Sequence, residues 1–537
     1  MNLRTLGQAT IILALAIQFA VWIPGPPLRP DQFSLPKDVA LGVFGAICAF
    51  QLMLRTRVSW DWKVDTPVLA ALAWGFLLTV LVATNGIAGT RAVGTYAAGW
   101  SIFLFTRSAY TRSENGGVYL ATCWVLVCIA LVVLLEAFGV LPFFSEPGRR
   151  PGGTLGNRNL VARILCLSLP LFWRQLLLVE KPVMRRILAV SVMLLVGAIV
   201  LSRSRGAWLV SAGLAISLPT ATWLFFNGRS TGGTRDAVRL WTAAIVIGVA
   251  AAVFVPNRLG WGFADFASSA ERLLDLEDGT GRGRLIQSVT TLRMIEEEPL
   301  LGVGPGNWGI LYPAFARSGD PSLTPESIYP APHQPRGDLL SLTAEFGLPG
   351  LILMMAATWG VICRALVMRR DQRPQVRYSG LMVIGLVAST IILGMSDPIV
   401  RLSPTLVLVS VLVGLGLAHA DIADVETPLR NSSRHVVKHV ILAGCVVASL
   451  VAALGAGRDA AAIRALTSMD ALEDIYKAVR IAPNNVEAQV VLSYVLVSIN
   501  RCEQAMPHLM HAAKLQPYSG AIARLRSRCS QNPVSVQ

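Results

Sequence analysis

Apolar runs of about 18 to 23 residues recur along the chain, each long enough to cross ~30 Å of hydrocarbon as a helix. About thirteen can be marked, centred near residues 16, 46, 75, 98, 128, 169, 194, 216, 247, 352, 387, 410 and 447, the fourth being the least distinct. They are continuous Leu/Val/Ala/Ile stretches and not ten-residue alternations, so a β-barrel is excluded. The first run, Ile11 to Ile23, leads into Pro24, Pro26, Pro27 and Pro30 with no small-x-small cleavage site, and is expected to stay as the first span. The pattern predicts an all-α, polytopic transmembrane protein of about 12 to 13 spans, with one large loop at about 257–338 and a small C-terminal helical-repeat domain.

Composition agrees: 53% of the 537 residues are hydrophobic and 15% charged, where soluble domains carry about a quarter charged. Mean hydropathy is +0.56. The balance of 47 Lys+Arg against 32 Asp+Glu, +15, would in a soluble protein raise nucleic acid as a partner. Loop arginines that set topology explain it more cheaply, and no nucleic-acid motif occurs, so nucleic acid is not an expected partner.

With the N-terminus inside, alternate loops carry Arg55, Arg57 and Lys63; Arg107 and Arg112; Arg174, Lys181, Arg185 and Arg186; Arg229, Arg235 and Arg239; Arg364, Arg369, Arg370, Arg373 and Arg377; and Arg430, Arg434 and Lys438. Every cytoplasmic loop is then basic, as the positive-inside rule requires. Three groups violate it on the outer side: Arg149, Arg150 and Arg158; Arg203 and Arg205; and Arg282, Arg284 and Arg293 in the long loop. A cation at the apolar boundary is costly unless paired or solvated, and several guanidinium groups together form a clamp for phosphate oxygens. A polyprenyl diphosphate needs both the bilayer and the cations; interfacial snorkelling to lipid phosphates is the plainer alternative.

An odd number of spans puts the tail, from about residue 457, on the outer face as well. Within it Ala478-Val479-Arg480-Ile481-Ala482-Pro483 recurs as Ala512-Ala513-Lys514-Leu515-Gln516-Pro517, an offset of 34 residues, which resembles the tetratricopeptide period. Such hairpin arrays bind protein partners or serve as packed caps. The periodicity predicts one helix over about 501–515, a turn over about 516–519 and a return helix from about 520 to 529. Cys502 and Cys529 then end within about 4.5 Å of one another along the hairpin axis, which suits a disulfide in an oxidising compartment. Cys48, Cys123, Cys128, Cys166, Cys363 and Cys445 lie in or at the ends of apolar runs as small core residues. No Cys/His cluster has metal spacing, so neither a metal nor another cofactor is expected.

In the long loop, Gly283 to Glu298 is amphipathic, with Leu285, Val289, Leu292 and Ile295 at helical spacing. Pro299-Leu300-Leu301-Gly302-Val303-Gly304-Pro305-Gly306-Asn307-Trp308 follows as a glycine-rich turn without a Walker or dinucleotide signature. His333 is the one histidine of this loop; an imidazole beside an outer-face pocket suits proton removal from a sugar hydroxyl, although a lone histidine is more often structural.

These pieces together carry a resemblance. Gly153-Thr154-Leu155-Gly156-Asn157-Arg158-Asn159 before a span, Ser202-Arg203-Ser204-Arg205-Gly206-Ala207 between two spans, Gly283-Arg284-Leu285 with Leu292-Arg293-Met294-Ile295, the glycine-rich turn, and a histidine before Leu339-Leu340 and Ala344-Glu345-Phe346-Gly347-Leu348-Pro349-Gly350 stand in order. Over about residues 150 to 420 the chain resembles the O-antigen ligase and Wzy-type polymerase superfamily of GT-C-like membrane glycosyltransferases. The resemblance implies inverting transfer of a glycan from undecaprenyl diphosphate to a lipid, glycan or protein acceptor, without a bound metal. It further implies that Arg205 and Arg284 hold the diphosphate, with Arg158 and Arg203 in support, and that His333 activates the acceptor hydroxyl. Two departures stand out. His333 lies twelve residues before Glu345 where the family has nine, a position occupied here by Arg336, and Ser288 stands where the family often has tryptophan. Either the loop carries a three-residue insertion, or Arg336 has taken the histidine's place.

The expected organisation is 1–150 N-terminal spans, 151–420 the ligase-like core with periplasmic loop 257–338, 421–457 a linker and last span, and 458–537 a periplasmic tetratricopeptide-like domain, in a bacterial inner membrane. Expected partners are the undecaprenyl-diphosphate-linked donor, the acceptor, membrane lipids and a protein bound by the tail. The competing readings are a transporter or flippase of lipid-linked oligosaccharide, a protein O-oligosaccharyltransferase of the same superfamily, and a membrane scaffold whose tail recruits a synthesis complex.

Overall fold

The computed structural model describes residues 3–24, 30–55, 58–110, 116–226, 232–271, 279–332, 335–419, 432–467 and 472–531. Among these residues there are twenty α-helices and no strand. Nine helices precede the long loop: α1 (Leu3–Ala20), α2 (Pro30–Leu54), α3 (Asp65–Leu81), α4 (Gly86–Ala109), α5 (Gly116–Ala137), α6 (Arg158–Leu178), α7 (Pro182–Leu201), α8 (Arg205–Phe226) and α9 (Gly232–Phe254). The loop itself holds α10 (Phe263–Glu271), α11 (Gly279–Glu297) and α12 (Trp308–Phe315). The bundle resumes with α13 (Asp338–Met368), α14 (Pro374–Gly394), α15 (Ser403–Leu417) and α16 (Ser432–Thr467), and the tail is α17 (Leu472–Ile481), α18 (Val486–Ser498), α19 (Cys502–Leu515) and α20 (Gly520–Gln531).

Every expected span centre falls in a helix, and nine helices among the described residues are long and apolar enough to cross a membrane. The chain is a multi-pass membrane protein. Of the rest, α1, α3 and α15 are shorter apolar helices; α15, with 15 residues, is about 23 Å long. The fourth, α4, carries Arg91, Arg107 and repeated glycines. Glycines here have a packing role: a Cβ on Gly94 of α4 would lie 2.4 Å from the Ala448 carbonyl, and one on Gly45 of α2 2.4 Å from the Ala98 Cβ of α4. Small residues let α2, α4 and α16 approach backbone to backbone, the usual source of helix association where lipid is as apolar as leucine.

The basic loops need one correction. Arg107, Arg174 and Arg377, assigned to loop surfaces by charge, are buried. Arg107 pairs with Asp65, and Arg174 donates to Ser379 Oγ at 2.8 Å and lies over the Tyr119 ring. A buried cation persists only with partners, and these three sit where helix ends supply them.

The tail packs against the long loop: Ile328 and Tyr329 join the apolar cluster formed by α17 to α20 and the end of α16. At 36 residues, α16 is about 54 Å long and overshoots a ~30 Å apolar core, so it carries the tail out to that loop. Cys502 and Cys529 are bonded, their Cα atoms 5.4 Å apart, joining the start of α19 to the end of α20.

Candidate functional site

The glycine-rich turn is a docking element. α13 is broken at Gly347, whose φ of 67° is open to glycine alone at this site, because a Cβ would lie 2.1 Å from the Leu300 carbonyl. Around this break Val303 N donates to Ala344 O, Leu348 N to Pro299 O (both 2.8 Å), and Trp308 N to Glu345 Oε1 at 3.3 Å. The two family-like motifs on either side of His333 therefore lock to each other, and they set where the loop leaves and re-enters the bundle.

Upstream, Asn157 caps α6 by accepting from Asn159 N, so Arg158 opens that helix. Gly156, at φ 68°, lies so close to the Phe33 ring that a Cβ would sit 2.3 Å from it. The Ser202–Arg205 segment is the tight turn from α7 into α8. Arg203 is held at φ 51°, a conformation costing about 1–2 kcal/mol for a residue with a Cβ. That backbone aims its side chain at the loop: Nε donates to Ser269 Oγ at 2.9 Å, Nη1 is 3.7 Å from Asp265, and the guanidinium stands 4.9 Å from the Trp261 ring centre. Arg158 stands 5.5 Å from the same ring.

A second group forms around Asp397, between α14 and α15. Arg163 of α6 reaches it at 2.9 Å, Arg336 at 3.1 Å and Arg284 of α11 at 3.6 Å. Three guanidinium groups thus share one carboxylate. Arg163 lies five residues beyond Arg158 on α6, about 7.5 Å along the axis, so one helix links the two groups. Arg205 heads α8, and a Cβ on the neighbouring Gly206 would lie 3.8 Å from Ser396 Oγ, next to Asp397. Asp338 fixes the 397–401 segment by accepting from Ile399 N (3.0 Å) and Val400 N (3.2 Å). Arg401 closes the arrangement on Glu345 at 2.7 Å and Ser341 at 2.8 Å.

Of the sequence candidates, Arg158 and Arg203 meet at Trp261, and Arg284 and Arg336 meet at Asp397. Arg150 is elsewhere, stacked on Phe143 at 4.1 Å. His333 lies outside the described residues. Arg163, Asp397, Asp338 and Arg401 were not foreseen. Arg163 did have a signal, since an ionisable residue inside an apolar span is a functional candidate by default.

α11 turns its polar face inward. Gln287, Thr290, Thr291 and Met294 are buried, while Leu285, Val289 and Leu292 are exposed. Gln287 Nε2 donates to Ser322 Oγ at 2.9 Å and Trp308 Nε1 to Thr291 Oγ1 at 3.1 Å, which gives these buried groups partners. The apolar stripe that marked this helix in the sequence faces away from the protein, as in a helix lying at a membrane interface. Beside Asp338, a cavity of about 750 Å³ opens among α3, α4, α13, α14 and α15, lined mostly by apolar side chains such as Leu72, Phe103, Met354 and Leu406, with Asp338, Tyr96, Thr358, Thr390 and Ser410 among its polar members.

The profile of the family described as O-antigen ligase matches residues 190–355. That segment runs from α7 to just past the break in α13, and contains Arg203, Arg205, Arg284, His333, Arg336 and Glu345 but not Arg158, Arg163, Asp397 or Arg401. No curated protein matches the chain. Over residues 190–355, this multi-pass membrane protein is similar to the O-antigen ligase family.

Proposed function

We propose that the protein transfers a glycan from undecaprenyl diphosphate to an acceptor hydroxyl, as an O-antigen ligase or surface-polysaccharide polymerase with its site on the periplasmic side of a bacterial inner membrane. The observation that carries this reading is the convergence of Arg163, Arg284 and Arg336 on Asp397: three positive charges face one negative, a surplus suited to a diphosphate. Arg205, Arg203 and Arg158 extend it along α6 and the α7–α8 turn. The apolar cavity beside Asp338 suits the lipid portion of such a donor.

In the reaction, the acceptor oxygen bonds to the anomeric carbon as the bond from that carbon to the diphosphate breaks, with inversion. The acceptor proton passes to His333, the base implied by the family resemblance, and polyprenyl diphosphate leaves. Negative charge grows on the leaving oxygen in the transition state, so fixed guanidinium groups stabilise it more than the ground state. Acceptors of three kinds fit this chemistry: lipid, growing glycan or protein. Incubating the purified protein with a lipid-linked glycan and measuring released undecaprenyl diphosphate tests the reading; a transporter or scaffold releases none.

A further inference from the structure

The tail grips the long loop at one short segment. Residues 324–330 close on themselves, Thr324 N donating to Pro330 O and Ser327 N to Thr324 O, both at 2.8 Å. Three successive carbonyls of that turn are then taken by the start of α20. Gly520 N donates to Pro325 O at 3.1 Å, Arg524 Nη2 to Glu326 O at 2.7 Å, and Ser519 Oγ to Ser327 O at 3.2 Å. The first amides of a helix have no partner within it, so a carbonyl from elsewhere satisfies one here. The approach is close: a Cβ on Gly520 would stand 2.3 Å from Pro325 O. Ile328 and Tyr329 follow, packed on the tail's own core.

The other end of the tail is anchored to the bundle. Asp459 near the end of α16 pairs with Arg91 of α4 and accepts from Asn485 Nδ2 at 3.0 Å, at the head of α18. The Cys502–Cys529 bridge ties α20 to α19. The tail is thus a link between the transmembrane helices and the loop segment that leads, seven residues after Tyr329, to Arg336 on Asp397.

We infer that α20 is a positioning strap: Gly520, Ser519 and Arg524 hold the 324–330 turn so that Arg336 is kept against Asp397 for the donor. This rests on the reading of the arginine group as the diphosphate site. The surface ion pair of Arg524 with Glu326, about half and four-fifths exposed, contributes little; the backbone contacts carry the effect.

The test uses the full-length protein with Gly520→Val, Arg524→Ala and Arg524→Lys, measuring donor kinetics by polyprenyl diphosphate release and backbone hydrogen exchange. In Gly520→Val and Arg524→Ala, the amides of 324–331 and of Arg336 and Gly337 exchange faster, and donor KM rises about tenfold, the loss of roughly one charge-assisted contact, with kcat within about twofold. Arg524→Lys, which keeps a cationic donor, stays near wild type. Unchanged donor KM in both disrupting variants overturns the inference, even if Gly520→Val unfolds the tail. Should the wild-type protein release no polyprenyl diphosphate, the donor reading has failed separately. The strap is then judged by exchange at Arg336 and Gly337, and unaltered exchange there rejects it.

Discussion

Arg163, inside the apolar helix α6, meets Asp397 at 2.9 Å, and both side chains are nearly excluded from solvent. Asp397 also receives Arg336, whose side chain is 40% exposed. These two contacts have different weights. Asp397→Ala leaves Arg163 buried without its carboxylate and is expected to destabilise the protein by about 3–5 kcal/mol. Arg336→Ala removes a half-exposed partner and costs at most about 1 kcal/mol. Thermal unfolding in detergent checks this, with Asp397→Ala melting well below Arg336→Ala; equal midpoints would show that Asp397 is not the keystone of the group.

Arg284→Ala and Arg205→Ala are each expected to abolish transfer while inserting normally. Losing a charge-assisted contact to a buried phosphate costs about 3–5 kcal/mol by analogy with a broken buried pair, roughly two to four decades in rate. Activity at equal expression is the measurement, and near wild-type rates in both variants leave no role for the clamp.

Much of this architecture was legible in the amino-acid pattern, and the failures have physical causes. Hydropathy marks every helix of the bundle because each apolar run must supply its own backbone hydrogen bonds in lipid. The arginines expected on the outer side were visible as violations of the charge rule. Arg163 breaks no charge rule, and its one signal, an ionisable group inside an apolar span, is averaged away by a window long enough to detect the span. Asp397 and Arg401 sit in a short connection whose meaning depends on Asp338 holding it beside α13. The face of α11 was misleading for a related reason: periodicity identifies an apolar stripe but not whether protein or lipid covers it, and here Gln287 and Thr291 face the protein.

His333→Ala is expected to be at least about a hundred-fold slower, within the range of about 10² to 10⁴ for losing a general base, and Arg336→Ala milder. Single-turnover rates decide between them. If Arg336→Ala is the more damaging, the three-residue insertion account fails and the site works without a histidine base.

Cys502 and Cys529 should resist alkylation in the denatured protein until reductant is added, while the other six cysteines react from the start. Applied to intact and opened cells after reduction, a membrane-impermeant maleimide also reports sidedness. Labelling of the tail in intact spheroplasts fits a periplasmic tail, and protection until lysis would reverse the orientation.

Gly347→Val should destabilise the junction between α13 and the glycine-rich turn. The native φ of 67° costs a β-branched residue about 1–3 kcal/mol, and its Cβ would stand 2.1 Å from the Leu300 carbonyl. A lowered unfolding midpoint with loss of transfer is expected; an unchanged midpoint would mean that the break is not required.

The most direct test of the central claim is polyprenyl diphosphate release by the purified protein from a synthetic undecaprenyl-diphosphate-linked glycan with acceptor present, comparing wild type with Arg284→Ala. Wild-type protein is expected to form glycosylated acceptor and free undecaprenyl diphosphate in equal amounts, with Arg284→Ala slower by about two to four decades. Movement of the intact lipid-linked glycan across a bilayer, with no diphosphate released by the wild type, would contradict it.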